Sequence, residues 1–458
     1  MATLDVKLSA LRADAHSILS STLADCGIDA AIARTLRADG ARLHRLRSSS
    51  GPPFIDLALF SRVFVVALGK AAVPMLDALL RILPHDIDLR GVCAAPALPL
   101  QPHSSIAYFA AGHPLPNADS FAAARAALDL LHCADDATLI FFLISGGGSA
   151  LCEFPLDPAI TLADVRAFHQ ALIGCGAPIA AINAIRQSFS AVKGGRLADA
   201  AANSTQYSLF VSDVPGDALE ALASGPTLPP QTTPDHVASV LNQYHLLSTF
   251  PPAVRRFFEQ NRPQNPCHPA QTILDPVLHS DRTRHFHDLV LSADDLAFFA
   301  ARHARSLGYA VTIDNNCDDW DYTEAARYLT DRLCALHAAS PRCCLVSTGE
   351  VTVELGVSPG IGGRNQQFTL AVAELLAAQP WPTVVLSVGT DGIDGNSLAA
   401  GALADRTSIL RASSLGIDPR DALIARNTYP LFQALGDAIH TGPTGNNLRD
   451  LRVLLTAQ

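Results

Sequence analysis

Lysine is nearly absent from this chain of 458 residues: only Lys7, Lys70 and Lys193 occur, and arginine supplies the rest of the 33 basic residues. Lys70 and Lys193 both stand beside glycine. A chain that otherwise uses the planar guanidinium keeps lysine where a compact, mobile cation is needed. A lysine in a glycine turn after a strand is also well suited to meet a phosphate. Three lysines alone are equally compatible with chance, so the neighbouring segments must decide.

Several classes of protein are excluded by what else is missing. The net charge is -10 and no basic run occurs, which argues against nucleic acid or anionic membranes as partners. No apolar run approaches the ~20 residues of a membrane span, and the first residues, which include Asp5, do not resemble a signal peptide. The ten cysteines are scattered without metal-binding spacing, which indicates reduced thiols. We therefore expect a soluble, cytoplasmic protein.

The length and a hydrophobic content of 49% indicate two well-packed domains. We predict α/β domains over residues 1–240 and 286–458, joined by a connection over 241–285 where prolines are too dense for a helix or a central strand. Helical spacing extends over 8–47, and a further helix is expected over 235–247. Apolar runs typical of buried strands cover 62–68, 137–144, 208–211, 288–292, 310–313, 343–347, 383–387 and 451–455.

In the first half, polar motifs follow the predicted strands, where ligands of α/β sheets usually bind. The glycines of Ser145-Gly146-Gly147-Gly148-Ser149 could wrap an anion or simply form a tight turn. Asn183, Arg186 and Lys193 share helical spacing. Asp213 and Asp217 offer two hard oxygen ligands of the kind that Mg²⁺ prefers.

The second half repeats this composition. Glu350 follows one strand, and Arg364-Asn365 lies in a glycine loop whose guanidinium and amide match a carboxylate or phosphate. Thr390, Asp391 and Asp394 follow another strand, although Asp and Gly are also ordinary turn residues. A glycine-and-hydroxyl loop near the end contains Gly442, Thr444 and Gly445.

Standard signatures are missing. Gly69-Lys70 lacks the upstream glycine of a P-loop, and no G-x-G-x-x-G opens a βαβ unit. Gly147-Gly-Ser149-Ala-Leu151 lacks the last glycine of a serine-hydrolase elbow. His113 could be structural or catalytic. From the residues alone, the chain is an α/β protein that binds an anion and Mg²⁺.

In their order along the chain, these motifs closely resemble those of the glycerate 2-kinase family whose C-terminal half is the MOFRL domain. The matching stretches are 69–71, 112–114, 145–151, 183–198, 212–217, 224–227, 362–366, 389–395 and 442–445. The resemblance implies an N-terminal Rossmann-like three-layer domain and a C-terminal MOFRL-type α/β domain with a cleft between them. It also implies ATP- and Mg²⁺-dependent phosphorylation of D-glycerate to 2-phosphoglycerate.

The resemblance also suggests roles. Lys70 and Arg364 would clamp the glycerate carboxylate and the transferring phosphoryl group, while Asp213 and Asp391 would hold Mg²⁺ and accept the hydroxyl proton, in an order that stays open. Nucleotide phosphates would meet the 146–148 and 442–445 loops. Further binding candidates are Gly69, Ser145, Ser149, Asn183, Arg186, Lys193, Asn365, Thr390 and Thr444. The metal candidates are Asp213, Asp217, Glu350, Asp391 and Asp394.

Two alternatives remain at this stage. One is an NAD(P)-dependent hydroxypyruvate reductase, a label that members of the family have sometimes carried. The other is a non-enzymatic regulator that binds a hydroxy acid. The carboxylates in two loops that follow strands argue against it, because they are more useful for binding a metal than for binding an anion. The sequence leaves the number of subunits open, a homo-oligomer included.

Overall fold

The computed structural model describes residues 2–48, 51–214, 218–230, 232–260, 285–356 and 359–458. They form two compact units. Ala31–Val290 is called the N-terminal unit, and Met1–Ala30 together with Leu291–Gln458 the C-terminal unit. Over these residues, no helix combines the length and the apolar character needed to cross a bilayer.

The first part of the chain alternates helices and strands. Short 3-10 helices cover Leu57–Leu59, Leu219–Ser224 and Leu246–Ser248. The remaining elements are α1 (Ala2–Asp25), α2 (Ile28–Thr35), β1 (Leu36–Asp39), β2 (Arg42–Arg45), β3 (Phe54–Asp56), β4 (Arg62–Leu68), α3 (Ala72–Leu80), β5 (Leu89–Ala95), β6 (Ile106–Ala110), α4 (Ala118–His132), β7 (Thr138–Ser145), α5 (Gly148–Leu151), α6 (Leu162–Ile173), α7 (Ile179–Phe189), α8 (Arg196–Asp199), β8 (Thr205–Val211), α9 (Pro234–Gln243), α10 (Pro252–Gln260) and β9 (His285–Leu291).

The N-terminal unit is built on a six-stranded sheet with the order β6-β5-β4-β7-β8-β9. Strand β4 pairs in parallel with β5 and β7, and β8 pairs in parallel with β7. Every residue of β7 is buried, which explains its uninterrupted apolar sequence. Counted from β4, the strands run 3-2-1-4-5-6, the order of dinucleotide-binding folds. The predicted Rossmann-like architecture is confirmed.

The predicted helix over 8–47 is wrong beyond Thr35. Strands β1 and β2 form an antiparallel hairpin in which Asp39 is paired with Arg42, so Gly40-Ala41 is the loop. Gly40, the first of the two loop residues, has a φ of 58°, whereas Ala41 is not at positive φ. Glycine at the first loop position is typical of the type II′ turn of two-residue hairpins. This local signal overrides the helical spacing around it.

The unit boundaries differ from the predicted ones. Helix α10 lies inside the predicted 241–285 connection, yet its Phe257 and Phe258 are buried in the core of the N-terminal unit against Phe189. An amphipathic helix with two such aromatic side chains is stabilised by burying them, despite the prolines around it. The rest of the predicted connection, 261–284, lies outside the described residues.

The C-terminal unit continues the alternation of helices and strands. Its elements after β9 are α11 (Ala293–Ser306), β10 (Ala310–Ile313), α12 (Tyr322–Ala339), β11 (Cys343–Thr348), α13 (Arg364–Leu376), β12 (Thr383–Gly389), β13 (Gly401–Asp405), α14 (Ser408–Ser414), α15 (Pro419–Ile424), α16 (Thr428–Leu435), β14 (Ala438–Ile439) and β15 (Asp450–Thr456).

Its six-stranded sheet has the order β10-β11-β15-β12-β13-β14. The last strand of the chain, β15, is central and runs antiparallel to both β11 and β12. Helix α1 also belongs here, contrary to the predicted 1–240 domain, since Leu11, Ala15 and Ile18 are buried and Arg12 makes ion pairs with Asp405 and Asp437.

Candidate active site

The glycine loop after β7 lies at the switch point of the N-terminal sheet, where the strand order reverses between β4 and β7. Ligands of doubly wound sheets bind at the carboxyl ends of the strands flanking this point. The β4 end supplies Lys70, whose N–H donates to the carbonyl of Gly146 (2.9 Å). The Ser145 hydroxyl accepts from the N–H of Ala71 (3.0 Å). The predicted loops at 69–71 and 145–149 are therefore joined by hydrogen bonds.

Asp213, just after β8, lies against the same loop. A side chain at Gly146 would overlap its carboxylate, so Gly146 leaves the room that Asp213 occupies. Gly147 has a φ of 82°, and a Cβ there would lie 3.2 Å from Lys70 Cγ and 3.1 Å from His113 Cδ2. A mobile cation and a carboxylate therefore flank one glycine turn. The cation could bind an anion, and the carboxylate could accept a proton.

Ser149 and Asn183, both predicted to bind substrate or nucleotide, are joined through Ser224. The Ser149 and Ser224 hydroxyls are 2.6 Å apart, and Ser224 donates to Asn183 Oδ1 (2.9 Å). Asn183 in turn donates to the carbonyl of Ala221 (3.3 Å). This chain of hydrogen bonds fixes the loop at 219–224 against α5 and α7.

Lys193 does not support the predicted ligand-binding role. Its side chain is 1% exposed and its Nζ lies 2.5 Å from Glu153 Oε2, which is also 3.2 Å from His169 Nε2. Although burial alone would raise it, the pKa of Glu153 is held down to about 2 by Lys193 and His169. Arg186, the neighbouring candidate, has a buried Nε without a hydrogen-bond partner in the described part of the chain. A buried charge is tolerated only when it is paired, so Lys193, Glu153 and His169 form an interior ion cluster, while the binding role of Arg186 stays a prediction.

The C-terminal unit contains a cavity of about 690 Å³ with both polar and apolar lining. Arg364, Glu350 and Asp391, all identified from sequence, line it, as do Asp319 and Arg426. Such a volume lies within the usual range of small-molecule and cofactor sites. The cavity combines guanidinium groups with carboxylates, so it suits a ligand that has both an anionic group and donors.

Arg364, the first residue of α13, is held in a fixed orientation. Its Nε and Nη2 donate to the two carboxylate oxygens of Asp450 (2.7 and 3.1 Å), and Nη2 lies 2.8 Å from Glu350 Oε1. Although burial alone would lower it, these carboxylates raise the pKa of Arg364. Over the described residues, Nη1 makes no hydrogen bond, so it is the donor that remains for an anion in the cavity.

Asp394, a predicted metal candidate, has another role. Its carboxylate accepts from the backbone N–H of Asn365 (3.0 Å) and Gln366 (2.9 Å) and from both of their side-chain amides. It thus caps the N-terminus of α13, where a carboxylate is favoured by the helix dipole. Asn365 is committed to the same contacts and to Ser387, which donates to its Oδ1 (2.6 Å). Asp394 also lines the cavity described above, whereas Asn365 does not, and the ligand roles of both stay predictions.

Thr390 and Thr444 join two loops beside Asp391. Thr444 donates to the carbonyl of Thr390 (2.6 Å), and Thr390 donates to the carbonyl of Arg449 (2.7 Å) while accepting from Leu448 N–H. Their hydroxyls thus fix the 442–445 loop, whose Gly442 and Gly445 are exposed. Asp391 and Asp394 of the preceding loop both line the cavity. Asp391, whose Oδ1 accepts from the N–H of Ile393 (3.1 Å), is the more exposed of the two.

No group of three histidines, cysteines or carboxylates forms a ready metal site in the ranges that the structure describes. Asp217, a predicted Mg²⁺ ligand, lies outside them. Mg²⁺ usually takes one or two carboxylates together with substrate phosphates and water. Asp213 in the N-terminal unit and Asp391 in the C-terminal unit each offer a single carboxylate of this kind, and their metal-binding role stays a prediction.

Sequence reasoning missed Asp450 and Arg452, both 0% exposed. They are charged residues two apart in strand β15, whose other residues are apolar except Thr456. Two charges at this spacing in an apolar strand were the signal in the sequence.

The chain matches two known families. Residues 14–259 match a domain of unknown function (DUF4147), and residues 343–450 match the MOFRL family. It is 32% identical to the glycerate 2-kinase of Pyrococcus horikoshii over 87% of this chain and 88% of that one, and 30% identical to the D-glycerate 2-kinase of Thermotoga maritima over 85% and 89%. A protein of Agrobacterium vitis with a provisional hydroxypyruvate reductase name is 35% identical over 86% and 87%.

Solved structures agree with these matches. The crystal structure of the glycerate kinase of Thermotoga maritima is similar to this chain with a TM-score of 0.80 and 28% identity, over 98% of this chain and 100% of that one. A second structure, from Pyrococcus horikoshii, gives a TM-score of 0.77 over 98% and 99%. The shared fold and the kinase relatives define an α/β phosphotransferase class. Within that class, the chain belongs to the glycerate 2-kinase family.

Proposed function

We propose that this protein is a glycerate 2-kinase that transfers the γ-phosphoryl group of ATP to the 2-hydroxyl of D-glycerate, giving 2-phosphoglycerate and ADP. The observation that carries the proposal is the switch point of the N-terminal sheet, where Lys70 and Asp213 flank one glycine turn. A phosphoryl transfer needs positioned charge more than covalent help from the protein. This turn offers a cation for the phosphate and a carboxylate for the attacking hydroxyl.

The cavity of the C-terminal unit supports the same activity. Arg364 is fixed by Asp450, and its Nη1 makes no hydrogen bond within the ranges that the structure describes, which suits a small carboxylate or a phosphate. Arg364 and Lys70 are therefore the proposed clamps for the glycerate carboxylate and the transferring phosphoryl group. Asp213 and Asp391 are the proposed acids, one as proton acceptor and one as metal ligand.

In the proposed reaction, the 2-hydroxyl oxygen attacks the γ-phosphorus, the bond to the β-γ bridging oxygen breaks, and the hydroxyl proton passes to Asp213 or Asp391. Lys70 and Arg364 neutralise the charge that spreads over the phosphoryl oxygens. Mg²⁺, when bound, would neutralise charge on the triphosphate. The glycine turn after β7 would receive phosphate oxygens through its N–H groups.

A reductase is disfavoured by the same switch point. In dinucleotide-binding folds, the turn after the first strand carries G-x-G-x-x-G, which brings backbone N–H groups against the pyrophosphate. Here that turn follows β4 and contains Gly69 followed by Lys70-Ala71-Ala72. The only glycine is the first, and the position where the backbone must approach the pyrophosphate is occupied by alanine.

The test is ³¹P NMR of the product formed from D-glycerate and MgATP by the purified chain. The expected result is ADP and the 2-phosphate resonance in equal amounts. A 3-phosphate product would contradict the regiochemistry, and absence of ADP together with NADH oxidation by hydroxypyruvate would establish the reductase instead.

A further inference from the structure

The strongest feature outside the predicted site is a row of four charges running from the cavity into the core. Glu350 and Arg364 line the cavity, and Asp450 and Arg452 lie behind them on β15. Arg452 is 0% exposed and its Nη2 lies 3.7 Å from Asp450 Oδ2. The signs alternate along the row, so each charge has an opposite neighbour.

The row follows from the periodicities of one strand and one helix. Asp450 and Arg452 are two apart on β15, so they share one face of the sheet. Arg364 and Phe368 are four apart on α13, so they share one face of the helix. Arg364 contacts Asp450, and the Arg452 guanidinium lies over the Phe368 ring, 5.1 Å from its centroid. The two pairs are thus side-chain contacts that join α13 to β15.

Arg452 is poorly satisfied for a purely structural residue. Its Nη2 donates to the carbonyl of Gly349 (3.0 Å), but Nε and Nη1 have no hydrogen-bond partner over the described residues, nor has the Oγ of Ser347 opposite it. Burial lowers the pKa of Arg452, whereas Asp450 raises it. A buried ion pair with unsatisfied donors is a weak source of stability, and apolar residues of similar size often replace such pairs without loss.

We propose that Asp450 and Arg452 are positioning residues for Arg364: Asp450 fixes the guanidinium through Nε and Nη2 so that Nη1 faces the ligand, and Arg452 balances the charge of Asp450. The inference rests on the proposed function, since it assigns Arg364 a substrate anion. Without Asp450, Arg364 would retain its charge but lose the bidentate contact that orients its plane.

The first test is Asp450→Asn, which keeps shape and removes the charge. The expected result is a loss of roughly 10- to 100-fold in kcat/KM for the substrate whose anionic group Arg364 binds, as for other partners that orient a binding group. The KM of the other substrate should stay normal. Asp437→Asn is the matched control. Asp437 is also buried and paired with arginines in the C-terminal unit, but it does not line the cavity, so its loss should leave kcat/KM unchanged.

Stability is separated from positioning by Asp450→Asn combined with Arg452→Met. This variant has no buried charge in the row, so its thermal stability should return to that of the unmodified chain or exceed it. The proposal requires activity to stay low. Recovery of kcat/KM along with stability would show that the pair is only structural and would overturn the proposal.

A binding measurement keeps the test independent of activity. Arg364→Ala leaves the Asp450 carboxylate facing an empty guanidinium site, so calorimetry should detect binding of free guanidinium at low millimolar concentration, at fixed ionic strength. Arg364→Ala combined with Asp450→Asn should bind at least tenfold more weakly. Equal binding by the two variants would contradict the proposal. An unmodified chain without kinase activity would contradict the proposed function alone.

Discussion

The three lysines occupy three different environments. Lys7 is exposed and donates to the carbonyl of Gln458 (2.6 Å), and Lys193 is buried against Glu153. Lys70 is partly buried in a glycine turn next to Gly147. Scarcity of lysine therefore pointed to two special positions, of which one is a buried ion pair and one is at the candidate active site.

Replacing Lys70 should remove activity and preserve the fold. We expect Lys70→Ala to lose roughly 10²- to 10³-fold in kcat, the size typical of one transition-state donor. Lys70→Arg should also be impaired, because a planar fork is a poor substitute for a compact ammonium in a tight turn. The measurement is ADP release with D-glycerate, and circular dichroism checks the fold. Lys7→Ala is the control, and near-normal turnover by folded Lys70→Ala would exclude the assigned role.

Asp394 gives a prediction about pH. Burial, the main cause, raises its pKa to about 6 from 3.8 despite the hydrogen bonds from α13. Because the folded chain holds this proton more tightly than the unfolded chain, the associated stability is complete below about pH 4 and is lost as the pH rises through 6. Relative to Asp394→Asn, the chain should lose at most about 3 kcal/mol across that window.

The two tryptophans, Trp320 and Trp381, both lie in the C-terminal unit. Their fluorescence during urea unfolding therefore reports the unit that contains Asp394. Unfolding of the chain and of Asp394→Asn should be compared from pH 4 to pH 7. Curves of stability against pH that stay parallel would show that Asp394 does not titrate in this window.

At the scale of elements, the sequence predicts where strands occur better than it predicts which side chains contact one another. All eight predicted strands occur, because short apolar runs such as 137–144 are stabilised by burial in a sheet that is covered on both faces. The β1–β2 hairpin and the strands β3, β5, β6, β13 and β14 were missed, since they are short or interrupted. The strand-end residues Lys70 and Asp213 were found because parallel strands end at one edge.

The buried charge pairs could not be predicted. Asp450 reaches Arg364 because β15, the last strand, inserts between β11 and β12. Glu153 pairs with Lys193, which lies in the turn after α7 and is 40 residues away in sequence. Register and insertion of this kind depend on contacts between distant segments, which hydrophobic periodicity does not encode.

The loop after β7 can hold Asp213 in its present position because residue 146 is glycine. A Cβ at Gly146 would overlap the Asp213 carboxylate, so Gly146→Ala should displace Asp213 and lower kcat by at least tenfold, with little change in thermal stability. Gly174→Ala is a matched control in the same unit, since its nearest neighbour is an ordinary 3.5 Å contact. If Gly146→Ala retained full kcat, Asp213 would not need its present position.

At the scale of the whole molecule, the chain crosses between its two units twice. Residues 1–30 belong with 291–458, although 260 residues separate them in sequence. Helix α1 buries Leu11, Ala15 and Ile18 in that unit, and Arg12 is paired with Asp405 and Asp437. Fully burying one aliphatic side chain contributes about 1.5–3 kcal/mol, so this helix is a substantial part of the unit's core.

A fragment of residues 291–458 should therefore be incomplete and should bind a peptide of residues 1–30. We expect the peptide to raise the midpoint of thermal unfolding of the fragment, followed by tryptophan fluorescence, in a concentration-dependent way, because a ligand that binds only the folded form stabilises it by mass action. A peptide with Ile18→Asp places a charge at a buried position and should bind much more weakly. A fragment whose unfolding midpoint is the same with either peptide would show that α1 is dispensable for folding of this unit, and that the helix is held by its connection to the chain rather than by its own contacts.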